Sequence, residues 1–196
     1  MNAYREGGWL PSWASPGYRN CMVGTFADVV VADAIIKDIK GFDMDTAIEA
    51  IRKDSFEQPP PYAGGAVGKD GLKGYIEMGF IPLNNDGGGE SVSRSLDFAY
   101  ADYAVAQALK HAANNMDYVK GDVKQKERML SEASGLEARA HRALAASFDP
   151  SLGLMVPRTF QGSRINRFDA LTWYSILLSL LYMFLVLLFS GSTACH

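Results

Sequence analysis

Apolar side chains recur every three or four residues over most of this chain, which is the spacing of one face of an α-helix. The clearest stripe lies in residues 91–113 and consists of Val92, Leu96, Ala99, Tyr103 and Ala106. The alternation of apolar and polar residues that is typical of strands is almost absent. The pattern therefore predicts an all-α fold, with helices near residues 25–39, 43–54, 91–113 and 122–147.

The first of these helices begins with a recognisable start pattern. The Thr25 hydroxyl is expected to bond a backbone N–H three residues on, and Asp28 lies in the first turn, where the helix dipole favours an acid. The residues that follow are mostly apolar, which is typical of a helix buried on most of its surface. The valines at 29–31 are equally compatible with a buried strand, but the start pattern favours a helix.

The C-terminal part of the chain differs from the rest because it carries no Asp, Glu, Lys or Arg after residue 169. Residues 174–190 would form a helix about 26 Å long, close to the ~30 Å hydrocarbon core of a bilayer. Trp173 and Arg167 stand where interfacial residues would. The run predicts a single-pass membrane helix over residues 173–190, followed by a tail at 191–196. A buried core helix and translation past a true exon boundary are the alternatives.

Composition narrows the possible functions only slightly. The net charge of −3 gives no electrostatic reason to propose a nucleic-acid partner. Two cysteines are too few for a disulfide framework, and Cys21 lies beside apolar residues, as a buried thiol would. The three histidines are scattered without the spacing of metal ligands, so no metal-binding residue is predicted.

Several motifs follow one another in order between residues 7 and 173: WLPSW, NCMVGTFADVVVADA, GFDMDTAIEAIRKDS, GFIPLNND and GESVSRSLDFAYADYAVAQA. Together they resemble the catalytic domain of glycoside hydrolase family 92, whose members are calcium-dependent exo-α-mannosidases. The resemblance implies an (α/α)6 toroid, of which residues 1–172 would supply about half. It also implies calcium as the cofactor, a mannose-containing glycan as the substrate and an extracellular or secretory location. Residues 1–11 contain no apolar leader, so we expect the natural N-terminus to lie upstream.

Five residues within the matched motifs are candidates for contacts with a sugar. Trp9 and Trp13 are expected to stack on a pyranose ring, and Asn20 and Asp28 to hydrogen-bond its hydroxyls. Phe26 stands where the family commonly has a histidine, and its ring neither donates nor accepts a hydrogen bond. Core packing is the alternative role for the two tryptophans, and capping of the first helical turn is the alternative for Asp28.

The resemblance does not supply a catalytic residue. The family's acid is a glutamate shortly after the position that matches Trp173, and its base is an aspartate much nearer the C-terminus. Neither has a counterpart here, so the chain is predicted to be inactive alone. Two hypotheses remain, a fragment of an exo-α-mannosidase and a membrane-anchored pseudoenzyme with at most sugar binding.

Overall fold

The computed structural model describes residues 1–13, 17–83 and 90–164. The described residues are mostly helical, with one short 3₁₀ helix at Pro61–Ala63 and one two-stranded antiparallel hairpin. The helices are α1 Asn2–Gly7, α2 Phe26–Ile36, α3 Met44–Phe56, α4 Leu72–Met78, α5 Ser91–Asn114, α6 Met116–Val119 and α7 Val123–Ser147. The strands are β1 Phe148–Asp149 and β2 Leu154–Met155.

The four predicted helices are confirmed as α2, α3, α5 and α7. Residues 29–32 lie inside α2, so the strand alternative is excluded for them. The start of α3 is capped by Asp43, whose side chain accepts hydrogen bonds from the backbone N–H groups of Asp45 and Thr46. Asp122 caps α7 in the same way by accepting from the Gln125 N–H.

Two predicted helix starts differ in detail from those observed. Thr25 precedes α2, but its side chain makes no capping hydrogen bond, and it is the Thr25 carbonyl that accepts from the Asp28 N–H at 3.1 Å. The predicted threonine cap was therefore wrong. The sequence offers Ser91 or Ser93 as the cap of α5, yet the residue before that helix is Glu90, in a left-handed conformation.

The core lies where α2, α3, α5 and α7 meet. Ile35, Ile51, Leu109 and Leu136, one from each of these helices, are fully buried in a single apolar cluster. The longest helices, α5 and α7, pack along each other, and α2 packs on α5.

Two surface positions depart from the predicted burial. The α2 helix buries one face only, because Val30 on the other side is 67% exposed, so the prediction of burial on most of its surface was wrong. Tyr103 was assigned to the buried stripe of α5 but is 48% exposed. Both errors have the same cause: an apolar residue at helical spacing is predicted to be buried, whether or not another element of the fold covers it.

The described residues include no helix that is both long enough and apolar enough to cross a bilayer. The membrane helix predicted at residues 173–190 and the tail at 191–196 lie outside the described residues.

Candidate functional site

A pocket of about 340 Å³ opens where three parts of the chain meet: the loop before α2, the loop before α4 and the first turns of α5. Its lining combines backbone, polar and apolar groups from these parts. The lining residues are Asn20, Cys21, Met22, Val23, Gly24, Gly65, Gly68, Asp70, Glu90, Arg94 and Phe98.

Polar side chains line much of this pocket, and two of their contacts join its walls. The Asn20 amide donates a hydrogen bond to the Gly64 carbonyl, which ties the loop before α2 to the loop before α4. Arg94 of α5 pairs with Asp70 across 3.4 Å between Nη1 and Oδ2. Side-chain amides, carboxylates and a guanidinium are the groups that orient a polar ligand in an otherwise apolar pocket.

Two of the lining glycines are required by their surroundings. Gly24 has a φ of +96°, and a Cβ there would lie 2.7 Å from Cε2 of Phe26 and 3.2 Å from Oδ2 of Asp97. Gly68 has a φ of +58°, and a Cβ there would lie 3.0 Å from Cζ3 of Trp9. A side chain at either position would be strained and would displace an aromatic ring.

Beneath the pocket lies a buried group of charged and polar residues that we call the Lys69 network. Lys69 follows the lining residue Gly68 in the chain, but its side chain is fully buried and points into the core. Its ammonium group donates to Oδ1 of Asp102 at 2.6 Å and to the Ser55 hydroxyl at 3.3 Å. The network consists of Asp28, Asp54, Ser55, Lys69, Asp102 and Arg139, none of which is more than 8% exposed.

Arg139 of α7 supplies the second cation of the Lys69 network. Its Nε donates to Oδ2 of Asp102 at 2.6 Å, and its Nη2 donates to Oδ1 at 2.8 Å. The same Nη2 donates to the Ser55 carbonyl at 2.8 Å. Asp102 therefore accepts from both cations, and the carboxylate links α5, α7 and the segment that follows Gly68.

Three buried acids, Asp28, Asp54 and Asp97, differ from Asp102 because no described cation donates a hydrogen bond to their buried oxygens. Burial raises the pKa of Asp28 to about 6, although the Lys69 ammonium acts in the opposite direction. Burial raises the pKa of Asp54 well above its usual range, and the neighbouring Asp28 carboxyl raises it further. Burial alone raises the pKa of Asp97 to about 7. Such acids hold a proton at a pH where an exposed aspartate does not.

Comparison with known proteins identifies the family. The sequence pattern of the glycosyl hydrolase family 92 catalytic domain matches residues 1–186. The chain belongs to this family. The match extends past Trp173, where we expected the resemblance to end.

Solved structures show the same relationship for this family 92 chain. It resembles a family 92 inverting mannosidase of Bacteroides thetaiotaomicron with a TM-score of 0.68 and 29% identity, over 86% of this chain and 20% of that one. It also resembles a family 92 α-mannosidase of the same organism in complex with mannoimidazole, with a TM-score of 0.55 and 30% identity, over 76% of this chain and 16% of that one.

Among curated proteins, an uncharacterized secreted glycosidase of Arthroderma benhamiae is 35% identical over 115 residues, which are 54% of this chain and 14% of that protein. This family 92 chain thus spans between 14% and 20% of the length of these relatives.

Of the five residues predicted to contact sugar, only Asn20 is among the lining residues of the pocket. Trp9 lies behind Gly68, and the Lys53 ammonium covers its ring at 4.6 Å from the centroid. Trp13 and Phe26 pack edge to face with ring centroids 5.4 Å apart. Asp28 is fully buried in the Lys69 network.

Sequence reasoning missed most of the polar lining. Asp70, Glu90 and Arg94 were not singled out as site residues, and Cys21, which was expected to be buried, is half-buried in the pocket wall. The one usable signal was the concentration of glycines between residues 64 and 74, since glycine is common where backbone approaches another group closely.

The calcium ion expected of a family 92 enzyme does not fit the residues described here. No group of three or more His, Cys, Asp or Glu side chains within residues 1–13, 17–83 and 90–164 is arranged to hold a metal ion. The buried carboxylate of Asp102 is already paired with Lys69 and Arg139. Calcium takes six to eight oxygen ligands, so a carboxylate that is neutralised by two cations is a poor ligand for it.

Proposed function

We propose that this chain is part of an exo-α-mannosidase that removes terminal mannose from glycans, and that the pocket lined by Asn20, Asp70, Glu90 and Arg94 contributes to sugar binding. The observation that carries the proposal is the likeness to the inverting mannosidase over 86% of this chain. The polar lining of the pocket supports it because hydroxyl groups are recognised by amide, carboxylate and guanidinium side chains.

The predicted aromatic residues take a supporting role in this proposal. Trp9 holds the backbone at Gly68 in place, and the Trp13–Phe26 pair does the same for Gly24. Direct sugar contacts are assigned to Asn20 and Asp70, whose side chains line the pocket. Asp28 does not contact the sugar in this proposal. Its carboxyl group affects the pocket wall through its electrostatic interaction with Lys69.

The chain alone is proposed to lack hydrolytic activity. Inversion at a glycosidic bond needs one carboxylic acid for the leaving oxygen and one carboxylate for the attacking water, about 6.5–9.5 Å apart. Asp28, Asp54 and Asp102 are fully buried, so they reach neither a glycosidic oxygen nor a free water molecule. The glutamate that the family resemblance implies shortly after Trp173 has no counterpart, because residues 170–196 contain no Asp or Glu.

An assay of the full 196-residue chain with calcium and an aryl α-mannoside tests this part of the proposal. We expect no turnover above the uncatalysed rate. Turnover that follows the purified protein and disappears in Asp70→Asn or Glu90→Gln would overturn it, because it would place a working carboxylate in the pocket.

Sugar binding is tested separately by calorimetric titration with mannoimidazole, the ligand of one solved relative. We expect binding to the intact chain and a loss of at least tenfold in affinity for Asn20→Ala. Asn114→Ala is the matched control, because Asn114 is exposed at the opposite end of α5, where its amide donates to the Lys110 carbonyl of the same helix. Equal affinities of the two variants would exclude the pocket as the binding site.

The second candidate is a membrane-anchored protein without catalytic function. The observation in its favour is the uncharged run at residues 174–190. The match of the family pattern as far as residue 186 favours the enzyme fragment, because most of that run then falls within the catalytic domain. Carbonate extraction of membranes from expressing cells separates the two, since a spanning helix stays in the pellet and a peripheral chain is released.

A further inference from the structure

The segment from Gly68 to Asp70 connects the pocket with the core. Gly68 and Asp70 line the pocket, whereas Lys69 between them is fully buried. A lysine with no exposed surface is rare unless its ammonium group is paired. Here it donates to Asp102 and Ser55, which belong to α5 and α3. The ammonium group therefore anchors this pocket wall to two helices of the core.

Asp28 of α2 and Asp54 of α3 are the other two acids of the Lys69 network. Both carboxyl groups are fully buried, and they hydrogen-bond each other, while Asp28 also interacts with the Thr25 side chain. Each interacts electrostatically with Lys69, and the two interact with each other. A second lysine, Lys53, acts on Asp54 from the same helix, but its ammonium donates to the Gly8 carbonyl and lies over Trp9.

The buried charges balance only if the carboxyl groups retain one proton. The cations of the network are Lys69 and Arg139, and its three acids are Asp28, Asp54 and Asp102. Asp102 accepts hydrogen bonds from both cations and so serves as their common partner. A net charge is costly to bury, and two adjacent carboxylates repel each other. The proton accordingly belongs to the pair formed by Asp28 and Asp54.

We propose that Lys69 is a positioning residue for the pocket wall, and that one proton shared by Asp28 and Asp54 keeps its ammonium group paired with Asp102. Loss of that proton leaves an uncompensated negative charge beneath the wall, which weakens the anchor. The effect on sugar binding rests on the proposed function of the pocket, but the shared proton does not. The charged and titratable groups that face the pair, element by element, are Tyr4 from α1, Tyr18 from the loop before α2, Lys53 from α3, Lys69 from the loop before α4 and Asp102 from α5.

The direction of the pH effect follows from proton binding in the two states. The folded chain holds the shared proton, whereas both aspartates of the unfolded chain lose theirs near pH ~4. The folded state therefore binds more protons above that pH, so stability falls as the pH rises until the folded pair ionises. Asp54→Asn imitates the protonated form and removes this dependence.

The decisive experiment compares unfolding midpoints of the full 196-residue chain between about pH 5 and pH 9, a range above the pKa of unfolded aspartate. We expect the midpoint of Asp54→Asn, relative to the unsubstituted chain, to rise steadily with pH. Asp33→Asn is the matched control, because it makes the same chemical change at a side chain of α2 that is 53% exposed and pairs with Lys37. A constant difference between Asp54→Asn and the unsubstituted chain at every pH would mean a merely structural role and would overturn the proposal.

A spectroscopic measurement keeps the proposal testable if the substituted chain does not fold. The unsubstituted chain should show the infrared carbonyl band of a protonated carboxylic acid at about pH 8, well above the usual pKa of an aspartate. Its absence would overturn the shared proton without any variant.

The role of Lys69 is tested with Lys69→Met. One cation then faces three acids, so the network needs two protons, and the midpoint should fall more steeply with pH than in the unsubstituted chain. An unchanged pH profile would overturn the assignment. Mannoimidazole affinity, which we expect to fall at least tenfold, is measured in parallel. If the unsubstituted chain binds no mannoimidazole, the proposed function is wrong. The pH profiles still test, independently of sugar binding, whether Asp28 and Asp54 share a proton.

Discussion

Arg139 of α7 donates two parallel hydrogen bonds to Asp102 of α5, from Nε to Oδ2 at 2.6 Å and from Nη2 to Oδ1 at 2.8 Å. Both side chains are buried, so the pair lies away from water. This bidentate geometry fixes the two longest helices relative to each other, which a single point contact would not do. It also explains why an arginine and not a lysine is suited to this position.

The first prediction concerns this pair. Asp102→Asn should lower the free energy of unfolding by about 3–5 kcal/mol, because it leaves two buried cations without their shared partner. Urea denaturation followed by circular dichroism measures the change. The control is Arg128→Lys, whose partner Glu132 is reached by an exposed side chain, and here we expect less than about 1 kcal/mol. A similar loss of unfolding free energy in both variants would show that the buried pair stabilises the chain no more than the exposed pair does.

The second prediction concerns Asp97, which is 5% exposed and whose pKa is raised to about 7 by burial. The folded chain keeps this proton between about pH 4 and pH 7, whereas the unfolded chain releases it. Stability attributable to Asp97 therefore falls through that window, by about 1.4 kcal/mol per pH unit. Asp97→Asn should lose this slope.

Thermal unfolding of Asp97→Asn at several pH values checks the slope. Relative to the unsubstituted chain, the variant should gain stability with rising pH up to about pH 7 and no further. A difference that does not change with pH would show that Asp97 ionises as an exposed aspartate does.

The helices were predictable from sequence because their signals are local. Asp43 caps α3 through side-chain bonds to residues two and three positions on, and the apolar stripe of α5 repeats within single turns. Interactions of this range are visible in a window of a few residues. The strand alternative for residues 29–32 was wrong, because the helix-start pattern correctly placed the beginning of α2 next to Thr25. The pattern was correct in position although the Thr25 hydroxyl makes no capping hydrogen bond.

The site was less predictable because its contacts are distant in sequence. Lys69 meets Asp102 across 33 positions, and Arg139 meets it across 37. A charged residue in a helical pattern is normally assigned to the solvent side, yet Asp97 and Asp102 of α5 are both buried. Nothing in the local pattern distinguishes a buried pair from an exposed one.

The tryptophans illustrate a second limit of sequence reasoning. Two tryptophans in a short loop indicate an apolar environment, but the pattern does not say whether a sugar or the protein supplies it. The structure supplies Lys53 and Gly68 for Trp9, and Phe26 for Trp13. Three of the eleven residues that line the pocket are glycines, which offer no side chain for a sequence pattern to recognise.

The third prediction concerns Gly24. Gly24→Ala should destabilise the chain by about 2–4 kcal/mol, because it combines a left-handed backbone with a clash against the Phe26 ring. Gly121→Ala is the matched control: Gly121 has a φ of +81°, but nothing lies within 4 Å of the point that an added Cβ would occupy. It should cost only the backbone term, about 1–2 kcal/mol. Equal losses of stability in the two variants would show that the contact between an added Cβ at residue 24 and the Phe26 ring does not destabilise the chain.

The last prediction concerns Glu132 of α7, whose response to pH has the opposite sign to that of the buried aspartates. Burial acts to raise the pKa of this carboxylate, but the hydrogen bonds from Arg52 and Arg128 outweigh it and lower the pKa below its usual value. Both bonds from Arg52 of α3 measure 2.6 Å. The stabilisation is therefore fully present above the unfolded pKa of about 4.3 and is lost as the pH falls through the lower folded value.

Glu132→Gln should consequently reduce stability at neutral pH by about 1–3 kcal/mol, since a part-buried bidentate pair is worth more than an exposed one. Below about pH 4 the difference between the variant and the unsubstituted chain should shrink, because the unsubstituted carboxylate is then protonated as well. Guanidinium denaturation at neutral and acidic pH measures both values. A difference that stays constant into acid would show that the Arg52–Glu132 contact stabilises the chain through packing of the two side chains and not through charge.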